Sequence, residues 1–290
     1  MSRIVCAPWR RLCAGGGRRA GRGVSRLGRE IPVELFIDTA NVSQIRRWLD
    51  WGVIDGVTTN PSIMLKEGAY DMESHAKEIA ELIFPRPISV EVTTNDHEEM
   101  LEQARCFASW SANIVVKIPV INEFGEPSLG VVRTLEESGI RVNVTACLSF
   151  GQAAMAAKAG ATYVSIFAGR VADEGNDPSR LIAQFIEWLA RWEYSTKLIC
   201  GSVRGAGNIQ EWALAGAHVI TVPPQFLAKF VDHHYSRESV RGFNQDAQTA
   251  LERMRQLDNI AVRERRGLTV VRAVGAATGR KPASKAKAPA

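Results

Sequence analysis

The sequence predicts an α/β protein: a parallel (β/α)8 TIM barrel followed by one additional C-terminal helix. Three observations carry this. Eight short apolar or alternating runs recur about every 20 to 35 residues. Segments of helical periodicity lie between them, the alternation that builds a parallel sheet. No GxGxxG follows the first run, which counts against a doubly wound open sheet, the main competing arrangement.

The strand runs, in order, are Glu34–Asp38, Gly56–Thr59, Ile88–Val92, Asn113–Pro119, Arg141–Ala146, Tyr163–Phe167, Lys197–Ser202 and His218–Val222. Helical patterns start near Ser43, with Ile45, Trp48 and Leu49 on one face, and near Asp71, with Met72, His75, Ile79 and Leu82. Others start near Asp96, Gly130, Ser149, Asp177 and Asn208. Beyond the eighth unit, Arg237–Gln256 sets Val240, Phe243, Ala247, Ala250, Leu251 and Met254 near helical spacing. Such a stripe needs a cover, which either the parent barrel or a neighbouring subunit provides.

The chain has 290 residues, 46% hydrophobic and 23% charged, which suits a water-soluble domain with a sizeable core. No apolar run reaches the length of a membrane span, so no membrane partner is expected. The net charge of +5 hides an uneven distribution. Residues 1–30 hold eight Arg against Glu30, and residues 263–290 hold five Arg and three Lys against Glu264, so each end carries +7 and the middle −9. The basic ends therefore give no reason to expect nucleic-acid binding by the folded body. Three regions follow: a disordered Arg-rich extension over 1–30, a barrel with its C-terminal helix over 31–260, and a basic low-complexity tail over 261–290. The head lacks the apolar stretch of a secretory signal; its composition fits an organelle transit peptide or an upstream start. Five scattered cysteines without a CxxC indicate reduced thiols and a cytoplasmic protein. His233-His234 is the one close histidine pair and does not make a metal site.

The residue that stands out is Lys117, the single charge in Ile114-Val115-Val116-Lys117-Ile118-Pro119-Val120. Desolvation disfavours a charged amine, and an uncharged lysine attacks carbonyls to form Schiff bases. In a parallel barrel the active site lies at the carboxyl ends of the strands. The polar residues there are Asp38, Thr58-Thr59-Asn60, Glu91, Lys117, Asn143 with Thr145 on the same face, Ser165 followed by Phe167 and Arg170, and Ser202 with Arg204. Each has an ordinary structural use, as a cap, a turn or a solvated loop charge. Seven successive strands offering inward polar groups describe a pocket. Asp38 and Glu91 are placed to move protons on different faces of a Lys117 adduct. Arg170, Arg204 and the Ser202 hydroxyl suit an anion, phosphate above all.

These residues also form a recognisable pattern. The blocks Phe36-Ile37-Asp38-Thr39-Ala40, Gly56-Val57-Thr58-Thr59-Asn60-Pro61-Ser62-Ile63, Val115-Val116-Lys117-Ile118-Pro119, Asn143-Val144-Thr145, Ser165-Ile166-Phe167-Ala168-Gly169-Arg170 and Gly201-Ser202-Val203-Arg204 resemble the transaldolase family. The likeness, over about residues 33–260, is to the short branch that includes fructose-6-phosphate aldolases. It implies class I aldolase chemistry in a (β/α)8 barrel without metal or organic cofactor. A dihydroxyacetone unit would pass from a ketose phosphate, such as sedoheptulose 7-phosphate or fructose 6-phosphate, to an aldose phosphate, as in the pentose phosphate pathway. By the same resemblance Lys117 forms the Schiff base and Asp38 moves the C4 hydroxyl proton. Glu91 and Thr145 hold the catalytic water, and Asn60, Asn143 and Ser165 bind substrate hydroxyls. Arg170, Ser202 and Arg204 hold the phosphate. The resemblance further implies a homo-oligomer, a pentamer or decamer, with the last helix reaching onto a neighbour.

Two positions bear on transfer against free cleavage. The similar fructose-6-phosphate aldolases carry Gln where Glu91 stands and Tyr where Phe167 stands. A phenol could protonate the enamine and release dihydroxyacetone; a phenyl ring cannot. One departure from the family is the segment Ile121–Gly130 after the Lys117 strand, longer by about four residues. Its place on the active-site face makes substrate choice the property it would alter.

Overall fold

The computed structural model describes residues 32–277. The Arg-rich head, 1–30, and the tail from residue 278 lie outside the described residues. The first half of the barrel runs β1 (Glu34–Asp38), α1 (Val42–Asp50), β2 (Gly56–Thr58), α2 (Pro61–Lys66), α3 (Met72–Ile83), β3 (Ile88–Glu91), α4 (His97–Trp110), β4 (Ile114–Pro119) and α5 (Leu129–Glu137). The second half runs β5 (Val142–Cys147), α6 (Phe150–Lys158), β6 (Tyr163–Ile166), α7 (Ala168–Asp173), α8 (Pro178–Arg191), β7 (Lys197–Cys200), α9 (Ala206–Leu214), β8 (Val219–Val222), α10 (Pro224–Val231) and α11 (His234–Ala277). All eight strands are parallel, each pairs with the next, and β8 closes on β1. The (β/α)8 barrel read from the sequence is the observed fold.

Local chemistry explains where the helices begin. Asn41, Asp71, Asp96, Ser149 and Asp177 each accept a backbone N–H of the first turn, satisfying donors that a helix start leaves open. Three short helices were not expected. α2 and α7 have six residues each and α10 has eight, too few for a periodic signal. α2 and α10 open instead on Pro61 and Pro224, whose fixed φ suits the first helical position.

Alternation along the strands divides the core in two. Outward residues such as Ile37, Val57, Val90, Val116, Ile118, Val144, Val164 and Ile220 pack against Ile45, Ile79, Met100, Leu135, Phe185 and Trp212 of the helices. Inward residues Phe36, Val115, Tyr163, Ile199 and Val219 form a separate apolar plug in the lumen. The plug leaves no room at β2. A Cβ on Gly56 would stand 2.7 Å from the Phe36 ring, so glycine is required there.

The last helix departs from expectation in length and in setting. α11 has 44 residues, so the boundary expected at residue 260 falls inside it. Apolar residues continue at helical spacing at Leu257, Ile260 and Ala261, and the three arginines of 263–266 are good helix formers. Its stripe is not buried on its own barrel: Val240 is 56% exposed, Phe243 70% and Met254 57%.

The amino-terminal face of the barrel is tied by Glu136 of α5. Its carboxylate accepts the Val142 N–H at 2.8 Å, the Thr162 N–H at 2.6 Å and the Thr162 hydroxyl at 3.0 Å, joining the entries to β5 and β6. Removing it strands two backbone donors, each costing about 1–3 kcal/mol. Glu136→Ala is expected to destabilise the fold by about 2–4 kcal/mol. The check is the midpoint of urea unfolding, and an unchanged midpoint would show that water replaces the carboxylate without loss.

Candidate active site at the barrel mouth

Two residues beyond the plug, the next inward positions are polar: Asp38 on β1, Thr58 on β2, Lys117 on β4, Ser165 on β6 and Thr221 on β8. The same period that fills the lumen with apolar side chains below lines the mouth with polar ones above. Register then sets the neighbours. Glu91 pairs with Lys117, and Lys117 with Asn143, so the three stand side by side on β3, β4 and β5.

Lys117 is buried, at 5% exposure. Its Nζ lies 3.0 Å from Glu91 Oε2 and donates to the Thr59 carbonyl at 3.0 Å. The amine that is the single charge of its own strand therefore has a carboxylate partner on the neighbouring one. A lysine read from its own strand has no visible counter-ion; this one comes from the adjacent strand and the loop after β2. The arrangement also sets Glu91 as the nearest carboxylate to the Nζ proton.

Asp38 accepts the Thr58 hydroxyl at 2.8 Å, and Thr58 in turn is hydrogen-bonded to the Thr221 hydroxyl. Burial pushes the Asp38 carboxyl above the ordinary aspartate range; the Lys117 charge and the Thr58 hydrogen bond pull against this, and Glu91 adds to it. A carboxyl biased toward its protonated form is suited to both taking and giving a proton.

Asn143 is held at both ends: its Nδ2 donates to Ser89 Oγ at 3.1 Å, and its Oδ1 accepts Ser165 Oγ at 2.8 Å. Thr145 lies where β5 and β6 slip register between Val144 and Cys147, next to Ala146 at a φ of 59°. Bulges of this kind re-aim side chains near sites. Thr145 Oγ1 is buried and has no hydrogen-bond partner among the described residues. Asn60 is drawn partly into structure: its Oδ1 caps α2 by accepting the Ile63 N–H at 2.9 Å.

On the other side of the mouth, Ser202 has a φ of 67°, rare for a residue with a side chain. Its carbonyl lies where a Cβ on Gly169 would fall, at 1.7 Å, so the start of α7 and the loop after β7 touch through a glycine. Arg170 lies 4.9 Å over the Phe167 ring. The expected clamp of Arg170, Ser202 and Arg204 needs one correction. Arg204 is not free; its Nη2 is 2.7 Å from Asp173 Oδ2. Neighbouring negative charge three residues beyond Arg170 was not weighed in the sequence.

Sequence reasoning also gave no role to Ser89, Thr58 or Thr221. A signal for all three existed: each is a polar residue at an inward position of its strand. The loop after β4 is a short hairpin closed by an Ile121–Pro127 bridge, with Gly125 at a φ of 84°. Asn95 pins it, accepting the Glu123 N–H at 3.1 Å and donating to Glu123 Oε1 at 2.7 Å. Phe124 stands 75% exposed in it.

Fold and mouth together define a (β/α)8-barrel enzyme built around a buried, carboxylate-paired lysine. The chain belongs to the Transaldolase/Fructose-6-phosphate aldolase family, which it matches over residues 35–277. It is 41% identical over 214 residues to the "Probable transaldolase" of Streptococcus equi subsp. zooepidemicus, covering 74% of this chain and 97% of that one. It is 41% identical to "Probable transaldolase 2" of Listeria monocytogenes, covering 74% and 95%. The solved structure of 2,3-dimethylmalate lyase, a PEP mutase/isocitrate lyase superfamily member, superposes with a TM-score of 0.52 over 75% of this chain and 84% of its own. Its identity of 16% makes that a likeness of fold alone.

The raised Asp38 carboxyl has a consequence for stability. As pH rises past 3.8, the ordinary value, the unfolded chain loses this proton first, so stability falls until the folded carboxyl also ionises. Asp38→Asn keeps an acceptor for Thr58 and removes the ionisation. The variant is expected to lack that fall and to be the more stable protein at neutral pH. Urea unfolding across pH checks this, and parallel profiles for the two proteins would refute it.

Proposed function

We propose that this protein is a transaldolase that moves a dihydroxyacetone unit between sugar phosphates through a Schiff base on Lys117. The observation that carries the reading is the buried Nζ, 3.0 Å from Glu91, beside an inward Asp38. In this reading Nζ adds to the C2 ketone of the donor, and loss of the C2 oxygen as water leaves an iminium. Asp38 takes the C4 hydroxyl proton, the C3–C4 bond breaks, and its electron pair enters the iminium to give an enamine. The shortened aldose phosphate departs. The acceptor aldehyde then meets the enamine carbon, Asp38 returns its proton to the new hydroxyl, and water releases the product from Lys117.

Glu91, already ion-paired with Nζ, exchanges protons with the amine and with the water gained and lost there. The unpartnered Thr145 hydroxyl is available to hold that water. Asn143 and Ser165, locked to one another, offer fixed partners to the substrate hydroxyls, and the amide of Asn60 adds another. Arg170, Ser202 and Arg204 receive the phosphate. Sedoheptulose 7-phosphate and fructose 6-phosphate are the donors this fits, in the pentose phosphate pathway. The pinned hairpin with Phe124 favours a specialised acceptor as a second reading.

We also propose a homo-oligomer, a pentamer or decamer, in which α11 crosses to a neighbour. Its support is the exposed stripe of α11 and a groove of about 800 Å³ at its root, lined by Trp51, Val231 and Val240. No described helix is long and apolar enough to cross a membrane. Cys106, Cys147 and Cys200 are free thiols, which supports a cytoplasmic setting.

Borohydride reduction in the presence of fructose 6-phosphate is expected to leave a three-carbon adduct on Lys117, absent in Lys117→Ala. Mass mapping checks it, and an adduct on Lys158, Lys197 or Lys229 would overturn the assignment. Phe167→Tyr is expected to raise dihydroxyacetone release from fructose 6-phosphate without an acceptor. An unchanged release rate would remove Phe167 as the guard of transfer.

A further inference from the structure

Arg204 is exposed, yet its guanidinium is committed to one carboxylate. Its Nε and Nη2 lie 3.1 and 2.7 Å from Asp173 Oδ2, and Nε is 3.4 Å from Oδ1. Asp173 ends α7, three residues after Arg170. The short helix that presents one guanidinium therefore also presents the group occupying the other. Both arginines act on this carboxyl: the Arg204 hydrogen bond, and more weakly the charges of Arg204 and Arg170, hold it below the ordinary range. Asp173 thus occupies the Arg204 fork, the geometry an oxyanion ligand would also use.

The pair has little structural work to do. Its side chains are 50% and 53% exposed, and ion pairs so exposed contribute little to stability. The loop that carries Arg204 has its own anchors: Arg204 N–H and Gly205 N–H both donate to Asn208 Oδ1, and Gly169 packs on the Ser202 carbonyl. Carboxylates and phosphates take the same guanidinium fork. A carboxylate already there must yield before a phosphate can use it, and if it stays close it repels the dianion.

We propose that Asp173 is an internal competitor for phosphorylated substrates: it holds Arg204 in the unliganded protein and gives it up when a sugar phosphate binds. The proposal rests on the reading of Arg170, Ser202 and Arg204 as the phosphate clamp. It gives the pair a use in the reaction. In each turnover one aldose phosphate leaves the clamp and another enters while the three-carbon fragment stays on Lys117. A competitor weakens both phosphorylated species alike, which shortens the stay of the first and costs only uniform binding. Asp173 is a positioning residue here; it acts on Arg204 and touches no reacting atom.

The test uses Asp173→Asn in the full chain, with Asp173→Ser as a second variant should the first fold poorly. Inhibition by inorganic phosphate and KM for glyceraldehyde 3-phosphate are measured beside KM for unphosphorylated glyceraldehyde. Both phosphate readouts are expected to tighten by about three- to fivefold, the range open to an exposed pair. The KM for glyceraldehyde should not move, a selectivity that a merely structural role would not produce. Arg204→Ala should weaken both phosphate readouts, and adding Asp173→Asn to it should change nothing further. If Asp173→Asn leaves phosphate binding unchanged or weaker while Arg204→Ala still weakens it, the competitor is refuted and the clamp stands. If Arg204→Ala has no effect on phosphorylated ligands, the clamp itself fails and the competitor with it.

Discussion

Burying an amine between two strands is the constraint on which the rest of this barrel depends. An isolated charge or unpaired polar group in such a place costs several kcal/mol unless hydrogen-bonded partners meet it. Lys117 has two partners, the Glu91 carboxylate and the Thr59 carbonyl. Neither comes from β4 itself. Both are delivered by the β3–β4 and β2–β3 ladders, so the chemistry of one side chain is tied to the register of three strands. Register is in turn fixed by the outer core. Val90, Val116 and Ile118 face the helices, and a one-residue slip would turn Lys117 into that apolar layer. The apolar outside of the sheet thus holds the polar inside in place.

The lumen repeats the lesson along its own axis. Phe36, Val115, Tyr163, Ile199 and Val219 close the barrel below, and the polar groups start two residues later. Most of those groups are satisfied by one another. Thr58 bridges Asp38 and Thr221, and Asn143 bridges Ser89 and Ser165. Satisfied networks keep side chains in one arrangement, which is what a site needs from groups that must meet a substrate in fixed positions. Thr145 is the exception, buried and unpaired on a bulge. A hydroxyl in that state is costly to the fold, and a role with a ligand is the physical account we give of it.

The strands were legible in the sequence because each is a short apolar or alternating run, and all eight start within a residue of where those runs place them. The polar mouth was legible for the same reason: once Asp38, Lys117 and Ser165 are set on strands, the period aims them inward. What was hidden depends on contacts between segments distant in sequence. The Lys117 counter-ion lies across a strand pair, and the Asp173–Arg204 bond spans two loops. α2, α7 and α10 were hidden because six to eight residues span only about two turns, too few repeats of the helical period to stand out. The length of α11 was hidden for another reason. Basic, low-complexity composition reads as tail, while arginine and alanine are good helix formers and can still hold a helix.

The two sides of the mouth are built on different physics, and the difference follows from what each must do. Around Lys117 the groups are buried, short-ranged and mutually bonded, so proton transfers occur between neighbours already in place. Around Arg170 and Arg204 the charges are exposed, and the rigid element is the backbone: a left-handed Ser202 against a glycine that admits no Cβ. Exposed charges are screened by water and salt, so they hold an anion less tightly than buried ones would. In the function we propose, a covalent intermediate needs the first side to stay fixed through the whole cycle, and an exchange of one sugar phosphate for another needs the second side to let go in the middle of it. On that proposal, a fold that buried both sides equally would hold the departing aldose as firmly as the arriving one, and the fragment on the lysine would wait.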